Sequence, residues 1–306
     1  MVRVLSVGVA VVDYVFHVER FPDRAEKYRA LDAAVVGGGG GANAAVALAR
    51  LGAEPWLAAR TGDDEAGDVI QADLEHERVR LDLLLRAKGR RSSFSSVLID
   101  AAGERQIVNY RDTALPAEAA WLRERLEAME DRGEAFAAVL ADTRWVDGSV
   151  AAIEHARAHG APAVMDVEAP AHEGLAALEL CTHAVFSAQG LRDFIGRDAP
   201  LPELLRVADE RLDAVVGVTD GPDGVRWIED GALYHLRPPR APGPIVDTLG
   251  AGDVWHAGLA LALAEAQPLA DAMAFANAAA TLKCVRSGGR GAAPDRTSVE
   301  ALLRSA

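Results

Sequence analysis

Seven residues, Asp247-Thr248-Leu249-Gly250-Ala251-Gly252-Asp253, bring small side chains and two carboxylates together immediately before VWHAGLALALAEA, a stretch with helical patterning. Gly250, Ala251 and Gly252 leave the backbone open to a ligand. The start of a helix adds unpaired N–H groups and a partial positive charge. Together they make an anion hole. Asp253 falls in the first turn of that helix, where a carboxylate can take a proton from an attacking hydroxyl. Phosphoryl transfer needs positioning, charge stabilisation and such a base. Taken singly, the pieces also read as plain structure, because Gly-Ala-Gly turns are common and an Asp suits a helix N-terminus. A second glycine run, GGGGGANAAVALARLG, begins at Gly37. Gly38 and Gly39 allow close backbone approach, and Asn43 offers a donor and an acceptor to a pair of hydroxyls. The alternative there is a strand-end turn with Asn43 as a helix cap.

These two segments need a scaffold that brings them together. The β-rich stretch 2–12 reads as a buried first strand. After the glycine run, Ala45, Leu48, Ala49 and Leu51 form an apolar stripe at helical spacing, and Gly52 stops it. Strand signals follow at 56–59, 137–141, 163–166, 184–186 and 214–219, alternating with helical ones near 68–77, 149–159 and 201–210. This order predicts an α/β fold, a mostly parallel sheet flanked by helices on both faces. Two stretches break the rhythm. Residues 13–36 and 92–110 alternate like strands, and FSSVLID and RQIVNYR would pair across a turn at 101–104. They predict a small β-sheet lid over 13–36 and 92–110, with the core over 1–12, 37–91 and 111–306.

With 306 residues, half of them hydrophobic, the chain has material for a full core. A net charge of −14 argues against general binding to a phosphate backbone, so no nucleic-acid partner is expected. Cys181 and Cys284 lie far apart and outside any CxxC or Cys/His cluster, which suggests no zinc site and fits a reducing cytoplasm. The apolar N-terminal stretch is interrupted at Asp13, and no later run is long enough to span a bilayer. The expectation is a cytoplasmic protein without a membrane partner.

The heptad 247–253 resembles the DTxGAGD signature of the PfkB/ribokinase family of sugar and nucleoside kinases. Gly38-Gly39 with Asn43 resembles that family's GGxxxN segment, and Gly62-Asp63-Asp64 and Gly67 also fit. The resemblance covers nearly the whole chain, in family order. It implies a ribokinase-like fold and transfer of the γ-phosphoryl group of ATP to a primary hydroxyl of a sugar. It implies Asp253 as general base, with Gly250, Ala251 and Gly252 as the anion hole. Asp13, at the end of the first strand, would hold substrate hydroxyls. Thr219, Gly221 and Gly224 match a T-x-G-x-x-G segment under the nucleotide, and Asn277 matches a position near the adenine, its alternative being a helix-surface amide. ATP is used as its Mg²⁺ complex. The family's N-x-x-E element is missing, because Ser187-Ala188-Gln189-Gly190 stands in its place. The metal ligands are therefore left open, with Asp166 and Glu168 as candidates. Asp247 and the loop 286–291 resemble a monovalent-cation region, which adds such an ion to the candidate cofactors.

For the acceptor, residues 26–28, 103–110, 140–145, 283–284 and 287–290 resemble the sulfofructose kinase branch, which phosphorylates 6-deoxy-6-sulfofructose at its C1 hydroxyl. A sulfonate needs cationic and amide donors far from Asp253. Lys27 and Asn109 from the lid, and Arg144 after a core strand, are expected to converge there. As solvated surface charges, Lys27 and Arg144 would do nothing of the kind. A phosphate suits the same donors, so a sugar phosphate is the competing acceptor, followed by a neutral ketohexose or ribose. A non-catalytic sugar- or nucleotide-binding regulator is the alternative of another class; the missing N-x-x-E favours it and the intact Asp253 opposes it. A dinucleotide-dependent oxidoreductase would need a G-x-G-x-x-G turn that residues 37–41 do not supply in context. Exposed lid edges seek partners, so a homodimer through the lid is expected.

Overall fold

A computed structural model describes residues 1–101 and 104–305. The turn expected at 101–104 thus lies partly outside the described residues, as does Gly103. The strands are β1 (Arg3–Val7), β2 (Val11–His17), β3 (Asp32–Gly38), β4 (Glu54–Gly62), β5 (Leu84–Ala87), β6 (Phe94–Ile99) and β7 (Arg105–Tyr110). They continue with β8 (Ala138–Asp142), β9 (Ala163–Val167), β10 (His183–Ser187), β11 (Val215–Thr219), β12 (Val225–Glu229) and β13 (Ala232–Leu236). The helices are α1 (Gly40–Arg50), α2 (Glu65–His76), α3 (Ala120–Glu130), α4 (Val146–Ala158) and α5 (Leu175–Leu178). After them come α6 (Ala188–Ile195), α7 (Leu201–Arg211), α8 (Ala251–Ala264), α9 (Leu269–Cys284) and α10 (Arg296–Ser305).

Nine strands form the main sheet in the order β13-β12-β11-β10-β9-β8-β1-β4-β5. It is parallel except at β12 and β13, an antiparallel hairpin at one edge. That hairpin was not among the expected strands, although its two-residue loop Asp230-Gly231, with both φ values positive, carries the Asp-Gly signal of a tight turn. The central strands are buried on both faces, as a parallel sheet under two helical layers requires. Two-residue alternation then sorts their side chains. Leu5, Val139 and Ala141 pack into the core beneath α3, α4 and α7. Val4, Ala138 and Leu140 pack into the opposite core beneath α1, α8 and α9.

The second sheet has the order β3-β2-β6-β7, with β2 and β6 parallel and the outer pairs antiparallel. Its strands begin at Val11 and return as far as Gly38, two residues beyond the expected limits on each side. Asp13 therefore does not end the first strand; it lies inside the lid strand β2. The chain leaves the core sheet at Gly8, where an added Cβ would lie 2.0 Å from the Asp142 carboxylate, and Val9 N–H donates to that carboxylate at 3.1 Å. No described helix is long and apolar enough to cross a membrane.

Candidate active site

Two cavities meet at the N-terminus of α8. The first, about 480 Å³, lies between the lid and the ends of β8 and β9 and is lined by Asp13, Asn43, Asn109, Arg144, Gly250 and Asp253, among others. The second, about 700 Å³, is lined by Thr219, Gly221, Gly224, Trp255 and Asn277 with their neighbours. Thr248 and Gly252 line both, and Ala251 faces the second. The loop read as an anion hole is thus the shared wall of two chambers.

Gly250 starts α8 in the left-handed conformation, φ 76°, which a Cβ would strain, so the loop turns into the helix here. This turn puts Asp253 in the first helical turn, facing the first cavity. Asn43 Nδ2 donates to Asp253 Oδ2 at 2.7 Å, joining the N-terminal turns of α1 and α8. Asn43 makes no side-chain cap for α1. Its Oδ1 is buried and accepts no hydrogen bond among the described residues, so it can receive a ligand hydroxyl. Burial, with the negative charge of Asp166 next in weight, pushes Asp253 up to about 7, against the Asn43 hydrogen bond. A carboxyl poised there is ionised near neutrality yet basic enough to accept a proton.

On the lid, the cross-strand row Asp13–Ser95–Asn109 faces the cavity. Asn109 Nδ2 donates to Ser95 Oγ at 3.0 Å. Burial raises the Asp13 pKa, with the Ser95 hydrogen bond and the Arg290 charge acting against it. Gly39 lines the cavity, whereas Gly38 is not part of the wall. Its role is to leave room for Asp13, whose Oδ2 would lie 2.2 Å from a Cβ there.

Arg144 reaches the cavity from the turn after β8 and donates to Glu168 Oε2 at 3.3 Å and Ala169 O at 3.1 Å. Lys27 does not join it. It is exposed on the segment 18–31 between β2 and β3 and contributes nothing to the wall. That segment has no regular strand to aim a side chain, so sequence spacing there does not determine direction. The wall carries instead Arg105 from the lid, Arg111 just after β7, and Arg290, a buried residue that ion-pairs with Asp73. Sequence reasoning missed these as site residues. The alternation of β7, which turns Arg105, Ile107 and Asn109 to one face, was the available signal for the first.

In the second cavity, Thr219, Gly221 and Gly224 lie together at and just after the end of β11. Asn277 is in the wall but is not a surface amide. It is buried, accepts from Trp255 Nε1 at 2.8 Å and donates to Leu236 O at 3.1 Å. Its amide is spent on shaping the wall.

Asp142, Asp166 and Glu168 add three acids to the first cavity. Burial, then the charges of Glu168 and Asp142, raise the Asp166 pKa well above the usual range. Mutual repulsion of this kind is relieved by a divalent cation, so the donor set suits Mg²⁺. His256 Nδ1 lies 2.9 Å from Gly252 O and its Nε2 3.4 Å from Val185 O, so its ring is held between two main-chain carbonyls. Ser187, in the stretch replacing N-x-x-E, caps α6 by accepting from Gly190 N–H at 3.0 Å, a structural task. Asp247 is surrounded by donors: Lys283 Nζ reaches its carbonyl at 3.0 Å and Oδ2 at 2.9 Å, while Arg105 and the Leu249 N–H reach Oδ1 at 2.8 and 2.9 Å.

The chain is similar to known proteins in sequence and fold. Residues 1–296 match the family model described as pfkB family carbohydrate kinase. The ribokinase of Bacillus subtilis is 29% identical over 308 residues, covering 99% of this chain and all of that one. Among solved structures, a putative ribokinase from Agrobacterium tumefaciens superposes with a TM-score of 0.91 at 33% identity, over 99% of this chain and 97% of its own. The ribokinase of Arabidopsis thaliana, in a structure complexed with ribose and ATP, superposes with a TM-score of 0.85 at 25% identity, over 99% and 98% of the two chains.

Proposed function

This chain belongs to the pfkB family of carbohydrate kinases and is an ATP-dependent sugar kinase, and we propose that it phosphorylates a primary hydroxyl of a ketose whose far end is anionic, 6-deoxy-6-sulfofructose at C1. The observation that carries the transfer geometry is the shared wall, Thr248 and Gly252, with Asp253 beside it. The sugar fills the cavity under the lid, and ATP fills the other. Asp13 and Asn43 hold hydroxyls. Asp253 removes the proton from the attacking one while Asn43 keeps the carboxylate aimed. The amides of residues 250–253 stabilise the charge on the moving phosphoryl group. The lid keeps water from competing with the sugar. Mg²⁺, held by Asp166 and Glu168, would supply positive charge that offsets the phosphate oxygens.

The anionic end rests on charge. In a protein of net charge −14, four arginines (105, 111, 144 and 290) line one cavity beside five acids; Arg105, Arg144 and Arg290 pair with Asp247, Glu168 and Asp73. Arg144 and Asn109 are the proposed sulfonate donors, and Arg111, just after the lid strand β7, takes the part expected of Lys27. A sugar phosphate suits the same donors and is the second reading. The test is a coupled ADP-release assay with 6-deoxy-6-sulfofructose, fructose, fructose 6-phosphate and ribose. The sulfonated ketose should give the highest kcat/KM. Arg144→Ala should raise its KM by about 10-fold or more and leave fructose nearly unchanged. An equal loss on both sugars, or ribose as the preferred acceptor, defeats the anionic reading while leaving the kinase in place.

The reading includes a cytoplasmic homodimer joined through the lid. Period-two alternation turns Tyr14, Val35 and Val108 away from the sugar, and they lie in one cross-strand row, 38%, 56% and 68% exposed. Three exposed apolar side chains in one row, with Ser96 between Tyr14 and Val108, make a surface for a second copy.

A further inference from the structure

Lys283 lies in the last turn of α9 with none of its side chain exposed. A buried ammonium is strongly disfavoured without a counter-charge. Here the counter-charge is Asp247, the residue that enters the anion loop, and Lys283 Nζ donates both to its main-chain oxygen and to Oδ2. The N–H groups of Val246 and Asp247 both donate to Cys284 O, at 2.8 and 3.2 Å. The strand of chain leading into the loop is thus stitched to the end of α9. Arg105 and Leu249 N–H take the remaining carboxylate oxygen. A diffusible monovalent cation at Asp247 would need these oxygens turned towards it. All of them face N–H donors, and a positive charge is already among them, so the residues present do not fit such an ion.

We infer that Lys283 is the resident cation of the anion loop, holding Asp247 as a bound monovalent ion would and freeing phosphoryl transfer from any need for one. This rests on the sugar-kinase reading above for its effect on turnover. Lys283 touches neither reactant; it is a positioning residue that keeps the amides of 250–253 aligned. Lys283→Met keeps the apolar stem and removes the charge. Lys283→Ala removes both and opens a space beside two oxygens of Asp247 that potassium or ammonium can enter.

The experiment compares choline, potassium and ammonium chlorides at equal ionic strength. Wild-type turnover should change by less than about twofold. Lys283→Met should lose about 10²-fold in kcat with a small change in sugar KM, which mere packing by the stem would not produce. Lys283→Ala should be equally slow in choline and regain about tenfold or more with potassium or ammonium. A second measurement needs no sugar: the melting temperature of Lys283→Ala should rise with potassium over choline, and that of the wild type should not. Potassium stimulation of the wild type by tenfold, wild-type turnover in Lys283→Met, or indifference of Lys283→Ala to both ions would each overturn the inference. If no sugar in the panel is phosphorylated, the acceptor reading fails and the melting measurement still decides the role of Lys283.

Discussion

Asp253 can act as a base only while ionised, and its carboxyl at about 7 makes pH the lever on activity. kcat/KM should rise with pH through a single-proton limb near 7 and level off above it. Asp253→Asn should still bind ATP and sugar, lose about 10²–10⁴-fold in turnover and show no such limb. Near-wild-type turnover in that variant would remove Asp253 from the chemistry. The same displacement has a sign for stability. The ordinary carboxyl value is 3.8, and the folded value lies above it, so the stabilisation this group gives is complete below 3.8 and is lost as pH rises towards 7. Asp253→Asn should therefore melt above the wild type at pH 8 and with it near pH 4. Calorimetry at the two pH values checks this. The residue types of this centre were legible in the chain, because Gly250–Asp253 and Asn43 carry their chemistry in their spacing. The hydrogen bond between Asn43 and Asp253 was not, since 210 residues separate them.

Elements place the second cavity, the one proposed for ATP. β11 ends at Thr219, and the turn 221–224 delivers the chain into β12 against β13. Gly224 has φ 84°, and a Cβ there would lie 2.2 Å from Leu236 O. Gly224→Ala must displace the end of β13 and Pro238, which lines the cavity and would lie 2.9 Å from the added Cβ, at a cost of about 1–3 kcal/mol, and should raise the KM for ATP more than that for the sugar. Gly243→Ala, with nothing within 4 Å of its added Cβ, is the control. Equal KM values for ATP in the two variants would mean that the hairpin does not shape the nucleotide cavity. The parallel strands were readable from apolar runs and helical spacing. The β12–β13 edge was not read as a hairpin because Asp230-Gly231 sits between short strands whose outer member is largely exposed and so lacks a strong apolar alternation.

At the scale of the whole molecule, the lid is tied to the core by charge. Arg105 links β7 to Asp247 beside the anion loop, and Arg290 donates to Gly38 O at the end of β3 while pairing with Asp73 on α2. The outer lid face is left with Tyr14, Val35 and Val108. Sedimentation of the wild type should give twice the chain mass, and Val35→Glu with Val108→Glu should give a single chain. A wild-type monomer at micromolar concentration would exclude the lid interface.

Local chemistry and periodicity belong to the chain itself. Glycines before a helix, an acid in its first turn and alternating strands follow from neighbours in sequence, so the glycine turn into α8, the α/β class and the existence of a small second sheet could be read before any coordinates. Tertiary structure decided what depends on distance through space. It put Thr248 and Gly252 on two cavities at once, left Lys27 outside, gathered Arg105, Arg111 and Arg290 within, and set Lys283 on Asp247. Side-chain direction across a loop, burial and the company of charges arise only when remote segments pack, and no spacing along the chain encodes them alone.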